Sequence, residues 1–320
     1  MLFEDVVYGK IEINDLVLLE LIDSKPLQRL KGIMNAGVLY KVLPWKTFTR
    51  YDHSLGVMIF LRKKGASIEE QVAGLLHDVP HTAFSHAIDF VYKSKNFDFH
   101  ENFREKIINE SEILEILQKH GFEIERIMEE KNFPLLEKSI PDLCADRIDY
   151  TLREFVARDG YSNKIKEYFD SIIVNDNLFV FTDKEMAKQF STDFLEMIQN
   201  WGTPLELVVV ETIASAIKEG LEQKIITGED LFTTDDEVLK KLENANNGKI
   251  NDLLKLLKPD LTVISDEKDY DYYSKEKVRF VDPIVMPKKK RVSEIYPVYA
   301  KLLEKHKEIM SKGIYAKIIK

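Results

Sequence analysis

Five of the seven histidines in this 320-residue chain lie between residues 53 and 100: His53, His77, His81, His86 and His100. Asp78 follows the second and Glu101 follows the fifth. Further on, "DLCADRIDY" sets Asp142, Asp146 and Asp149 at spacings of four and three, on one face of a helix. Imidazole mixed with carboxylate is a donor set for a divalent ion, and Mn, Fe, Mg, Zn or Ni all remain open. An ion so held lowers the pKa of a bound water toward neutrality and makes it a nucleophile. Phosphate chemistry also needs positive charge against the phosphoryl oxygens and a proton for the leaving oxygen. Histidine, with an ordinary pKa near 6.5, suits the last task. The stretch supplies each part: His53, His77, Asp78 and Asp146 as ligands, His81 and His100 as acid–base groups or phosphate contacts, Arg50 and Arg147 as clamps.

Each residue also has a plainer reading. A single histidine at a helix end is ordinarily a cap, so it is the ordered set that points to metal. Asp142 reads as part of a solvated helix side, and Asp149 as a carboxylate that orients a ligand histidine or Arg147. Cys144, among apolar neighbours, reads as buried and inert. His120 and His306 read as surface residues. Lys288-Lys289-Lys290-Arg291 reads as a solvated loop, with contact to a nucleotide or to nucleic acid as the alternative.

The elements that must position these groups are mostly helical. Leu16, Leu19, Ile22, Leu27, Leu30, Ile33 and Met34 predict two short helices broken near Lys25-Pro26. A helix over 51–64 carries His53. Ser67-Ile68-Glu69-Glu70 has the form of a capping box, and the helix it opens should run until Pro80, placing His77 and Asp78 in its last turn. Helices are expected over 101–109, 111–119, 144–158, 184–200 and 205–224. Another, from the capping form Thr234-Asp235-Asp236-Glu237, is expected to about Glu243. Residues 172–174 and 178–181 flank Asn175-Asp176-Asn177 as a hairpin, and 261–264 and 277–281 read as two later strands. The fold class is mainly α, with a smaller α+β C-terminal part containing short antiparallel strands. The boundary is expected near 165, giving units of 1–165 and 166–320.

The bulk numbers exclude several classes. A chain 44% hydrophobic and 32% charged is globular rather than disordered. No apolar run is long enough to span a membrane, and the start MLFEDVVYGK lacks the form of a signal peptide. One cysteine permits no intrachain disulfide, in keeping with a cytoplasmic protein. A net charge of −9 disfavours nucleic acid as a partner and leaves small anionic substrates open.

"RYDHSLGV" (50–57), "LLHDVPHTAFSH" (75–86) and "ADRIDY" (145–150), in that order, resemble the HD-domain metal-dependent phosphohydrolases. Together with "LIDSKPLQRLKGIMNAG" (21–37) they resemble most the branch of deoxynucleoside triphosphate triphosphohydrolases and the SAM-and-HD-domain nucleotide hydrolase. The resemblance covers about residues 20–160. It implies an HD-domain helical core in which His53, His77, Asp78 and Asp146 hold the metal. His81 is implied as a catalytic histidine, and His100 as a proton donor oriented by Glu101. Arg50 and Arg147 are implied to meet phosphate, Tyr150 to line the sugar or phosphate pocket, and Asn35 and His86 to line the substrate site. A nucleotide or other phosphorylated small molecule is the implied substrate, and a homo-oligomer the implied assembly. The chain departs from the family where Leu-Gly-His-Gly-Pro-Phe-Ser-His becomes Val79-Pro80-His81-Thr82-Ala83-Phe84-Ser85-His86. Two glycines are lost and a proline enters, which stiffens the loop. The branch's Gln-Leu before glycine is Asn35-Ala36 here, so exclusion of a 2′-hydroxyl is weakened. Four readings follow: a triphosphohydrolase releasing tripolyphosphate by attack at the α-phosphorus; an HD-type 5′-nucleotidase or phosphodiesterase; a nucleotide-sensing binding protein; and a di-metal oxygenase using His81 and His100 around a second ion.

Overall fold

A computed structural model describes residues 1–94, 99–275 and 277–319. Helices dominate, as the periodicity predicts, and three small sheets complete the fold. The helix Arg50–Lys63 is central. Thr49 and Asp52 form a reciprocal capping box at its start, and every residue from His53 to Leu61 is buried. A helix buried on every side over its middle turns belongs inside a domain, and this one packs against Ile68–Leu76 and Ala145–Asp159.

The chain start was not foreseen. Leu2–Asp5 and Gly9–Glu12 form an antiparallel hairpin. Asp5 accepts the backbone N–H groups of Val7 and Tyr8 at 2.8 and 2.9 Å and pairs with buried Arg153 at 3.0 Å, tying the turn to the helix Ala145–Asp159.

Several expected elements end differently. Helices Leu16–Asp23 and Lys25–Arg29 break at Ser24, whose hydroxyl donates to the Leu21 carbonyl at 2.6 Å. One 3₁₀ turn, Leu30–Gly32, follows, and Met34 leaves the helix to bridge Thr49. Ser67 caps its helix by accepting from Glu70 N–H, but the Glu70 carboxylate accepts from Leu135 and Leu136 instead of closing the box. That helix ends at Leu76, so His77 is its C-cap and Asp78 stands in the following turn. Thr234 and Glu237 do form a full box, opening Asp235–Asn244.

Ile172–Asn175 and Leu178–Phe181 pair as predicted. Asp176 and Asn177 both have left-handed φ (51° and 57°), the conformation a two-residue hairpin turn requires. This hairpin extends through a parallel bridge, Phe181 to Val285, and on to Lys290–Arg291. Thr262–Ile264 and Tyr272–Ser274 flank Ile314–Ile319 in an antiparallel sheet lying on the helix Pro204–Glu222. The strand expected at 277–281 is absent. Val281 accepts a hydrogen bond from the Tyr299 hydroxyl, and Arg279 accepts one from His306 Nε2 at 2.9 Å, so helix side chains satisfy these carbonyls in place of a ladder. His306 is thereby fully buried, where a surface position was expected.

Two large apolar clusters hold the chain. One runs from Val7 to Met310; the other joins Val38, Phe84 and Ile88 to Ile213, Ile217, Val238 and Leu242. Both draw on residues from either side of 165.

Candidate metal centre and substrate cleft

His53 sits one turn into its helix. Its Nδ1 meets Asp149 Oδ2 at 2.7 Å, and Asp149 is fully buried and gripped by Arg153 through two nitrogens, each at 3.0 Å. Gly56, one turn on, makes room for that pair: a Cβ there would overlap both the guanidinium and the carboxylate. His77 turns its Nδ1 to the Gly74 carbonyl at 2.7 Å. With their Nδ1 atoms so occupied, both rings present Nε2 to one point. The two Nε2 atoms are 3.3 Å apart, and Asp146 Oδ1 lies 2.9 and 3.6 Å from them. Asp78 stands beside this group, 3.5 Å from His77 Nε2 and 3.9 Å from His53 Nε2. Its oxygens are also engaged by Arg50 Nη1 at 2.9 Å and His81 Nε2 at 3.2 Å.

Two imidazole nitrogens facing each other across a half-buried carboxylate need a shared electrophile. Burial alone would depress His53, but Asp146, Asp149 and Asp78 outweigh it and lift the imidazole to about 9. Burial likewise opposes protonation of His77, and Asp78 and Asp146 raise it. Burial would raise the Asp146 carboxyl, yet bonding to His53 and His77 holds it well below its usual range. Such a cluster takes up positive charge, and a divalent cation supplies it with donors of the right type. His53, His77 and Asp146 converge closely enough to share one ion, with Asp78 adjacent. This fit is what the expected ligand set requires.

Next to the cluster His81 and His100 stack at 3.8 Å, and His86 lies edge-on to both at 5.0 and 5.6 Å. His100 Nε2 pairs with Glu101 at 3.0 Å; Glu101 in turn pairs with Arg104 at 2.8 Å. The Nδ1 atoms of His81 and His100 are buried without a hydrogen-bond partner among the described residues. Burial, Arg50 and His100 push the His81 imidazole well below its ordinary range. Arg50 Nε donates to Ser85 Oγ at 3.1 Å and Nη2 to the Asn35 carbonyl at 3.3 Å.

Arg147 is placed otherwise than a phosphate clamp needs. Its guanidinium donates to the Asp142 and Lys138 carbonyls at 2.7 and 3.1 Å, to Cys144 Sγ at 3.2 Å and to Glu137 at 3.4 Å. Asp142 is not simply solvated either, since it pairs with Arg291. Tyr150 does line the cleft, its ring 5.3 Å from Trp201 and 6.4 Å from His53.

The cluster lines a cleft of about 840 Å³. The lining also has an apolar part: Val38, Leu39, Phe84, Phe90, Val210 and Ile213. One wall holds a group that sequence reasoning missed. Buried Lys46 lies between Glu154 and Glu206 at 2.9 and 3.1 Å, and Trp201 Nε1 donates to Glu154 at 2.8 Å. No local pattern announces a set spread over 160 residues.

A mainly helical scaffold converging two imidazoles and carboxylates beside an arginine is that of a divalent-metal hydrolase. The HD domain family matches residues 50–154. The chain is 40% identical to "Uncharacterized protein YdhJ" of Bacillus subtilis over the full length of both. It is 31% identical to "Metal-dependent phosphohydrolase cns2" of Cordyceps militaris, over 90% of this chain and 86% of that one. It is 23% identical to the "Deoxynucleoside triphosphate triphosphohydrolase SAMHD1 homolog" of Dictyostelium discoideum, over 80% of this chain and 57% of that one. The chain belongs to the HD-domain metal-dependent phosphohydrolases, and its cofactor is a divalent metal ion.

Proposed function

We propose that this phosphohydrolase acts on nucleotides, with a nucleoside or deoxynucleoside triphosphate as substrate and nucleoside and tripolyphosphate as products. The observation that carries the reading is the meeting of His53, His77 and Asp146 beside Arg50 and the His81–His100 stack, in a cleft that is also lined by apolar side chains. The Dictyostelium relative, which bears a triphosphohydrolase name, supports the triphosphate. When bound, the ion supplies charge against phosphoryl oxygens and acidity to water. The chain supplies the rest. Arg50, oriented by Asp78 and Ser85, holds phosphate. His100, its Nε2 bonded to Glu101, serves as the proton donor to the leaving oxygen, and His81 accepts or relays a proton. Asn35, His86 and Tyr150 contact the sugar and phosphates, and the apolar part takes the base.

A nucleoside monophosphate is the second reading, and one observation favours it. Arg147, Arg104 and Lys46, like Arg50 itself, are already paired with carboxylates or carbonyls, so four of the cations that line the cleft are engaged by the protein before any phosphate arrives. A single phosphate needs fewer cations than three. In either case residues 1–165 are proposed as the catalytic core and 166–320 as an extension packed on it, in a cytoplasmic homo-oligomer. No helix among the described residues is long and apolar enough to cross a membrane.

A panel of nucleotides offered with several divalent ions, with products read by mass, tests both. Tripolyphosphate marks the first reading and orthophosphate from a monophosphate the second. Metal-loaded protein inert on the whole panel, and indistinguishable from His77→Ala, overturns both.

A further inference from the structure

The loop Val79–His86 carries His81 and the serine that orients Arg50, and it holds an unusual backbone. Phe84 and Ser85 are consecutive residues with positive φ, 61° and 51°, and neither is glycine. Side chains other than glycine enter that region singly and at a cost, so something outside the loop must keep two of them there.

The contacts that do so come from distant parts of the chain. Asp235, buried at the first turn of its helix, accepts Phe84 N–H on Oδ1 at 2.6 Å and Met34 N–H on Oδ2 at 2.9 Å. Arg29 Nη2 donates to the carbonyls of Val79 and His81 at 2.8 and 2.9 Å, while its Nη1 reaches the Thr233 carbonyl at 3.3 Å. Ala83 N–H donates to the Leu231 carbonyl at 2.8 Å, and Ser85 Oγ to the Met34 carbonyl at 2.7 Å. Gly37 (φ +57°) closes the contact: a Cβ there would stand 2.8 Å from the Phe84 carbonyl oxygen. Three segments, 29–37, 79–86 and 231–235, thus meet behind the cleft, and two of them lie outside the stretch matched by the HD domain.

We infer that Asp235 and Arg29 are a positioning pair that holds the Val79–His86 loop in its working conformation, and so sets where His81, Ser85 and Arg50 stand. The inference rests on the phosphohydrolase reading for its catalytic consequence. Neither residue touches the metal cluster, so both act on the loop and not on the ion.

Asp235→Asn is the sharpest test, because an amide keeps the shape but turns a donor toward one of the two N–H groups. Measured per folded, metal-loaded chain, kcat should fall roughly tenfold to a hundredfold, as expected of a displaced reacting group. KM should move less than about threefold and metal stoichiometry not at all. Arg29→Met should reproduce the split. Glu237→Ala is the control. It breaks the cap at the same helix end, where Glu237 accepts from Thr234 N–H and Oγ at 3.1 Å, without touching the loop, so it should lower Tm and leave kcat intact. Hydrogen exchange of the Ala83–Ser85 amides gives a readout independent of turnover, and should quicken at least tenfold in Asp235→Asn but not in Glu237→Ala. If no nucleotide is turned over by the parent protein, the function proposal fails while exchange still judges the brace. Unchanged exchange in Asp235→Asn, parental kcat in it, or an equal loss of kcat in Glu237→Ala overturns the inference.

Discussion

The polar and the apolar parts of the cleft's lining follow opposite rules of construction. In the polar part each group is held from behind: His53 by Asp149, Asp149 by Arg153, Arg153 by Asp5, His77 by the Gly74 carbonyl, His100 by Glu101. In the apolar part Val38, Leu39, Val210 and Ile213 offer surface without direction. Charges taken out of water demand partners at set distances and angles; apolar burial scales with area and tolerates changes of shape. The polar part should therefore fail abruptly when one atom is lost, and the apolar part should respond by degrees.

The largest effect belongs to the ligands. His77→Ala should retain its helical circular dichroism, lose bound metal, and turn over the responsive nucleotide roughly a thousandfold more slowly, the several kcal/mol that an ion contributes. Parental metal content with parental kcat would break the contrast at its root. Next comes Gly56→Ala. Alanine is the better helix former by about 1 kcal/mol, yet its methyl would part buried Asp149 from Arg153. Breaking a buried pair costs about 3 kcal/mol or more, so denaturant titration should show a net loss of roughly 2 kcal/mol. Any gain in stability would mean that the pair is not what holds His53.

In the apolar part Val210→Ala removes cleft surface worth about 1 kcal/mol. KM should rise severalfold with kcat unchanged; a collapse of kcat would show that this part, too, positions the reacting atoms. The smallest effect tests buried polar construction away from the cleft. Burial depresses the His306 imidazole below its ordinary value, while the Arg279 carbonyl that accepts from it opposes this more weakly. The unfolded chain takes up that proton first. Stability is then complete above about pH 6.5, the unfolded imidazole pKa, and declines as pH falls through it. In His306→Gln the fall in Tm between pH 7.5 and 5.5 should be shallower than in the parent.

The same contrast explains what could be read in advance. His53, His77, Asp78 and Asp146 were legible because the type of donor and its order along the chain survive without coordinates, and the structure gathers all four. Most helix limits were legible because capping and periodicity are local, as at Thr234–Glu237. Arg147 was not, since its neighbours in sequence say nothing of the carbonyls of Asp142 and Lys138 that engage it. The strand expected at 277–281 failed for a like reason: Tyr299 and His306, a helix away, take the carbonyls a ladder would use. Lys46, Glu154, Glu206 and Trp201 carried no signal, because their meeting is a fact of packing alone.

Read alone, the residues of this chain determined a mainly helical, metal-dependent phosphohydrolase and singled out the candidate side chains for its ion, because donor chemistry and helical period are properties of short stretches. Tertiary structure alone decided which lining cations the protein itself engages, how a loop without glycine keeps Phe84 and Ser85 in left-handed conformations, and that Asp235 and Arg29 stand behind it. Those outcomes turn on hydrogen bonds between residues as many as 204 positions apart, and the directions of such bonds exist only once the core has closed.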